Sequence, residues 1–136
     1  MISLTTQYAL RAVVFLAEHP GRNTTDSIAK ATQIPAGYLA KVMQSLSRAG
    51  VVVGQRGLNG GFSLSAPADK TTVLSVIEAV EPIPRIRACP LNLPEHRHAL
   101  CALHHKLDHA LSLVEESFRG TTVDELTTKR TFPFEP

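Results

Sequence analysis

Residues 24–50 read TTDSIAKATQIPAGYLAKVMQSLSRAG, and residues 51–64 continue VVVGQRGLNGGFSL. Thr24 or Thr25 is suited to cap a short helix running to about Thr32, because a threonine hydroxyl satisfies an amide left free in a helix's first turn. Ile28 and Ala29 are its inward residues. Gln33 and Ile34 make a tight connection, and Pro35 suits the first turn of the next helix, where its missing N–H is not needed. That helix is expected to reach Ala49. Leu39, Val42, Met43 and Leu46 recur at helical spacing and face the core. Tyr38, Lys41, Gln44, Ser45 and Arg48 are left on the outer face. Gly50 fits the left-handed position that follows many helices. Two short helices joined by a tight turn, the second with a basic face, describe a helix-turn-helix.

A β-hairpin is expected next. Val51, Val52 and Val53 are β-branched, Asn59-Gly60 predicts a type I′ turn, and Phe62 and Leu64 alternate with Ser63 and Ser65. Arg56 then sits on a glycine-rich tip. A hairpin directly after such a basic helix is the wing of a winged helix.

Outward from this stretch, residues 5–18 predict a helix capped by Thr5, with Ala9, Ala12, Val13 and Leu16 on one buried face and His19-Pro20-Gly21 ending it. Thr71 or Thr72 caps a helix to Val80 whose apolar stripe is Val73, Val76, Ile77 and Val80. Residues 81–99 hold four prolines and read as irregular. From about Leu100 a long helix carries Leu103, Leu107, Ala110, Leu111, Val114 and Phe118 on one side. A short helical stretch from Val123 to Lys129 precedes a proline-rich tail. The chain is thus mainly α with a small β-hairpin: a winged helix-turn-helix over residues 1–80, a Cys/His-containing loop over 81–100, and a dimerisation helix with its tail over 101–136.

With 136 residues the chain suffices for one compact domain and a dimerising element. Tryptophan is absent and aromatics are scarce, so the core is aliphatic and suits helices on helices. The net charge of +2 says little about nucleic acid by itself. Its distribution matters more: Lys30, Lys41, Arg48 and Arg56 gather between residues 30 and 60, with Asp26 the nearby acid. No signal peptide or apolar run of about 20 residues is seen, so a cytoplasmic protein without membrane contact is expected.

Residues near the start of a recognition helix touch base edges in the major groove. Here these are Ala36, Gly37, Tyr38 and Lys41, the two small residues allowing close approach of backbone N–H groups to a phosphate. Arg56 on the wing is placed to enter a minor groove. Arg48, Asn59 and Gly60 complete the expected DNA-binding set, and double-stranded DNA is the expected partner. No nucleophile elbow or phosphate-binding glycine loop is present, and the run from Gly57 to Gly61 sits on a hairpin. An enzyme is therefore not expected.

Cys89 and Cys101 share one region with His96, His98, His104, His105 and His109. Thiolate and imidazole are preferred ligands of zinc, copper and iron–sulfur clusters. Cys101, His104 and His105 stand at i, i+3 and i+4, one face of a helix, and Cys89 reaches them from the loop.

The segments Ile34 to Val42, Leu46 to Val52 and Arg56 to Leu64, together with Tyr8-Ala9-Leu10-Arg11-Ala12 and Val76 to Glu81, resemble the IscR/NsrR/CymR family of bacterial winged-helix regulators over nearly the whole chain. The resemblance implies a homodimer held by the long C-terminal helix through Leu103, Leu107, Leu111, Val114 and Phe118. It implies a partly palindromic operator, read through Tyr38, Lys41 and Arg56, with Thr5, Thr6 and Tyr8 near the phosphate backbone. A repressor sensing redox state, nitric oxide or iron–sulfur status is expected.

Many such regulators hold a [2Fe-2S] or [4Fe-4S] cluster through three cysteines, the outer two spaced as Cys89 and Cys101 are. Glu95 stands at the middle position here, and His104 matches a histidine ligand of one branch. A carboxylate ligand that another branch takes from the first helix of the partner subunit falls near Gln7. Cys89, Cys101, His104 and Glu95 are the resulting metal-ligand candidates. Zinc, a reversible Cys89–Cys101 disulfide, or no cofactor are the alternatives, and a winged helix reused as a protein-interaction module is the alternative to DNA binding.

Overall fold

The computed structural model describes residues 2–127 and 131–136. Three helices, α1 (Leu4–Glu18), α2 (Thr25–Thr32) and α3 (Ala36–Arg48), precede a hairpin of β1 (Val52–Gln55) and β2 (Gly61–Leu64). Helices α4 (Val73–Val80) and α5 (Ala102–Arg119) follow, with single 3₁₀ turns at Ala68–Lys70, Pro94–His96 and Asp124–Leu126.

The expected apolar stripes form the core. Ala9, Ala12, Val13 and Leu16 of α1 meet Ile28 of α2, the four predicted residues of α3, and Val76 of α4. Burying a leucine such as Leu39 or Leu46 stabilises by about 2 kcal/mol each. Thr24 and Thr72 accept the amides of Ser27 and Ser75 and cap α2 and α4 as expected. Gly50, at φ 80°, follows the C-cap Ala49.

Four local expectations are corrected. Ser3, not Thr5, caps α1: its hydroxyl accepts the Thr6 amide at 3.1 Å, and the helix begins at Leu4. Pro35 is the N-cap of α3 rather than a residue of its first turn. The hairpin has no type I′ turn at Asn59-Gly60; the positive φ angles are at Gly57 and Gly61, and the Gly60 amide donates to Gly57 O at 2.9 Å. The five residues 56–60 form the loop, because the strands separate after Gln55 and rejoin only at Gly61. The last helical stretch is a single 3₁₀ turn among the described residues, and Thr128 and Lys129 lie outside them.

Two backbone pairings between distant segments lock these elements together. Asn23, ahead of α2, exchanges hydrogen bonds with Phe62 of the wing at 2.9 and 2.7 Å. Gly61 is required at this join: a Cβ there would stand 2.7 Å from Asn23 O, and its φ is 139°. The chain leaving α5 returns to the start of α4, where Val73 N–H donates to Thr121 O and Val123 N–H to Thr71 O. Val123 is thereby fully buried in the winged-helix core.

Helix α5 contributes no buried residue. Leu103 and Leu107 are 63% and 47% exposed, and Leu111, Val114 and Phe118 are half-buried. These five residues form one apolar stripe along α5, most exposed at its N-terminal end. Arg85 anchors the preceding segment to this helix, donating from Nε and Nη2 to both oxygens of Asp108 at 2.8 Å each and from Nη1 to Glu115. The Ile86 amide adds a third bond to Asp108.

Candidate nucleic-acid interface and the Cys/His loop

Helix α3 presents Ala36, Gly37, Tyr38, Ala40, Lys41, Gln44 and Arg48 to solvent, because its core stripe uses the opposite face. Its N-terminus has no side-chain cap, whereas those of α1, α2 and α4 each have one. The first intrahelical amide is that of Leu39, bonded to Pro35 O at 3.0 Å. The amides of the first turn are left for an outside acceptor, which at a helix N-terminus is favourably an anion. Nothing lies within 4 Å of a Cβ built on Gly37, so the chain itself does not need glycine there.

Tyr38 is 56% exposed and rests on Tyr8 of α1, ring centroids 6.0 Å apart and planes at 61°. Between α3 and the wing runs an open groove of about 490 Å³. Gln44, Ser47 and Arg48 line one side, and Gln55, Arg56 and Phe62 the other. Two arginines from different elements thus border one channel, an arrangement fitted to a polyanionic backbone. Arg22 donates to Asn59 O at 3.1 Å and holds the wing tip from below, a basic residue that sequence reading did not single out.

Thr5 is half-exposed at the start of α1, but Thr6 is corrected. It is buried, bonded to Ser3 and donating to Glu81 Oε2 at 3.3 Å, so it faces α4 instead of a phosphate. Lys30 is spent on Asp26, 3.2 Å away on the same helix. Asn59 and Gly60 lie on the wing loop, where a Cβ on Gly60 would meet Gln55 O at 2.6 Å.

The Cys/His region forms two pairs. Cys101 is the N-cap of α5, and its Sγ lies 3.4 Å from His104 Nδ1. Cys89 is buried in the loop, where the Leu93 amide, the neighbouring His96 imidazole and the Leu91 amide hold its thiol below the usual range. Cys89 and His96 line a cavity of about 360 Å³ with Asn92, Leu93 and Arg97. Glu95 is exposed and does not line it, and His105 is also exposed on α5. Among the described residues no three His, Cys, Asp or Glu side chains come together to hold a metal ion. Cys89, Glu95, Cys101 and His104 therefore do not form a joint ligand set within one chain, and both cysteines are free thiols. His96, which sequence reading placed only within a histidine-rich region, is the imidazole beside Cys89.

No helix among the described residues is long and apolar enough to cross a membrane. The profile of the Rrf2 family, described as iron-dependent transcriptional regulators, matches residues 2–129. A protein of Aquifex aeolicus described as a helix-turn-helix-type transcriptional regulator is 37% identical over 130 residues, covering 93% of this chain and 90% of that one. Among solved structures, CymR, the global cysteine regulator of B. subtilis, aligns with a TM-score of 0.76 at 26% identity, covering 93% of this chain and 95% of that one. IscR of T. potens, at 21% identity and a TM-score of 0.75, covers 93% of this chain and 85% of its own and shares the fold. The hairpin, the five helices and these matches agree: the chain belongs to the Rrf2 family and is a transcription regulator with a winged-helix fold, not an enzyme.

Proposed function

We propose that this regulator binds double-stranded DNA as a homodimer and represses transcription from a partly palindromic operator. The observation that carries the reading is the pairing of an uncapped, outward-facing α3 with Arg56 across the groove that Arg48 also borders. In this reading Ala36 and Gly37 bring the α3 amides to a phosphate, and Tyr38 and Lys41 reach base edges in the major groove. Arg48 and Arg56 follow the backbone, with the wing at the adjacent minor groove. Thr5 and Tyr8 support the same edge from α1.

The uncovered stripe from Leu103 to Phe118 supports α5 against a second copy as the dimer element, which would set two α3 helices at the half-site spacing of an operator. The segment 81–100 is the sensing element in this account. It is tied to α5 through Arg85 and Asp108, so a change at Cys89 has a direct path to the dimer helix. A cluster bound by Cys89, Cys101, His104 and Glu95 does not fit the separated pairs of the single chain.

Fluorescence anisotropy on genomic fragments selected by the protein tests the function. Selective binding that weakens steeply with salt supports it. Absence of selective, salt-dependent binding overturns it in favour of an interaction module.

A further inference from the structure

The wing is fastened to the segment that joins α1 to α2. There the chain folds back on itself: the Asn23 side-chain amide donates to His19 O at 2.8 Å and to Gly21 O at 3.4 Å, and Gly21 takes a positive φ of 96°. The Asn23 backbone pairs with Phe62 of β2. Arg22, just ahead of it, is thereby set beside the wing, and its Nη1 donates to Asn59 O at 3.1 Å, near the end of the loop 56–60. Arg56 opens the same loop. The wing tip therefore carries an arginine at each end, supplied by two segments distant in sequence.

Arg22 is exposed, yet its side chain is held in place. Its partner is a neutral carbonyl, and among the described residues no carboxylate pairs with it. Asp26, in the first turn of α2, is taken up by Lys30. Arg85 and Arg119, by contrast, are both neutralised by carboxylates. A guanidinium presents several N–H donors in a rigid fork. One that rests on a carbonyl keeps its charge and its remaining donors for an outside oxyanion. Fixing the side chain before binding also removes part of the ordering cost that a mobile arginine would incur.

We propose that Arg22 is a second phosphate-contacting arginine of the wing: braced on Asn59 O, its guanidinium meets a phosphate oxygen of the DNA backbone beside the groove that Arg56 enters. Such a contact sets the register of the wing on the duplex and carries no sequence preference of its own. The inference rests on the DNA-binding reading above and adds to it a contact from the α1–α2 connection, outside both the recognition helix and the hairpin.

Anisotropy titrations of the full chain on a selected operator and on scrambled DNA, each at four or five salt concentrations, test it. Arg22→Gln should weaken binding to both DNAs alike and reduce the slope of log affinity against log salt by about 0.9. Arg22→Lys, which keeps the charge, should retain most of the slope. Thermal melts confirm that each variant is folded. A brace that only steadied Arg56 would lose its effect once Arg56 is gone, so the same substitution is made in Arg56→Gln. There Arg22→Gln should still lower the slope by about 0.9. An unchanged slope in folded Arg22→Gln, equal losses in Arg22→Gln and Arg22→Lys, or no further reduction in the Arg56→Gln background overturns the inference. Selective, salt-dependent binding by the parent chain leaves the proposed function standing in each of these cases, whereas its absence in the parent chain overturns both.

Discussion

Tyr38, at the exposed start of α3, rests edge-on against Tyr8 of α1. The contact braces the start of α3 against α1, with Tyr38 still more than half exposed. An edge-to-face pair is worth about 1 kcal/mol beyond its buried area. Tyr8→Ala should therefore lower stability by about 1–3 kcal/mol in chemical denaturation and weaken DNA binding. Tyr38→Phe keeps the ring contact, so the melting temperature should hold while DNA affinity falls.

The two glycines at 37 and 61 should respond in opposite ways. Gly37 has open space around it, and Gly37→Ala should be neutral or stabilise α3 by up to about 1 kcal/mol. In the proposed complex the added methyl would stand in the path of a phosphate, so affinity for DNA should drop in the same variant. Gly61→Ala drives a Cβ into the Asn23 backbone from a positive φ and should cost about 1–3 kcal/mol. Thermal melts and anisotropy on both variants check the contrast.

Arg48 and Arg56 border the groove between α3 and the wing. If each meets a phosphate, Arg48→Gln should weaken binding to all sequences alike. It should also reduce the slope of log affinity against log salt by about 0.9 for each phosphate no longer neutralised. Lys41→Ala should relax sequence preference as well as affinity. Binding series at four or five salt concentrations distinguish the two effects.

The Arg85 guanidinium, with the Ile86 amide, holds the Asp108 carboxyl well below the usual carboxylate range. Because this pKa is depressed in the folded chain, its stabilisation is present above the unfolded value of about 3.9 and is lost as pH falls through the folded one. The strap should thus persist to pH 4. Asp108→Asn should raise amide exchange at Ile86 at neutral pH and remove the strap's share of the acid-side loss of stability. Hydrogen exchange followed by mass spectrometry reads both.

Much of this architecture was legible because it is local. The apolar spacing in α1, α3 and α4, the Thr24 and Thr72 caps and Gly50 each depend on residues within one or two turns. What escaped depends on distant partners. Phe62 pairs with Asn23, and Val123 is buried only because the chain after α5 returns to Thr71. Thr6 has the composition of a phosphate contact, yet Glu81 draws it inward from α4. At the wing, Asn59-Gly60 has the composition of a tight hairpin turn, but the positive φ angles fall at Gly57 and at Gly61, the latter beside the distant Asn23 backbone. His96 was hidden among five histidines in the region from 96 to 109, and only the turn after Cys89 singles it out.

Helix α5 bears the homodimer claim. Leu103 and Leu107 sit one turn apart and exposed, so Leu103→Glu with Leu107→Glu should yield a folded monomer in sedimentation analysis. That monomer should bind a full operator far more weakly than the parent chain.

The most direct test of the central claim is the salt dependence of affinity for a selected operator against scrambled DNA of the same length. The account predicts selective binding with a steep negative salt slope that Arg56→Ala diminishes and a selectivity that Lys41→Ala relaxes. Equal affinity for the two DNAs, or a slope unchanged in Arg56→Ala, would contradict it.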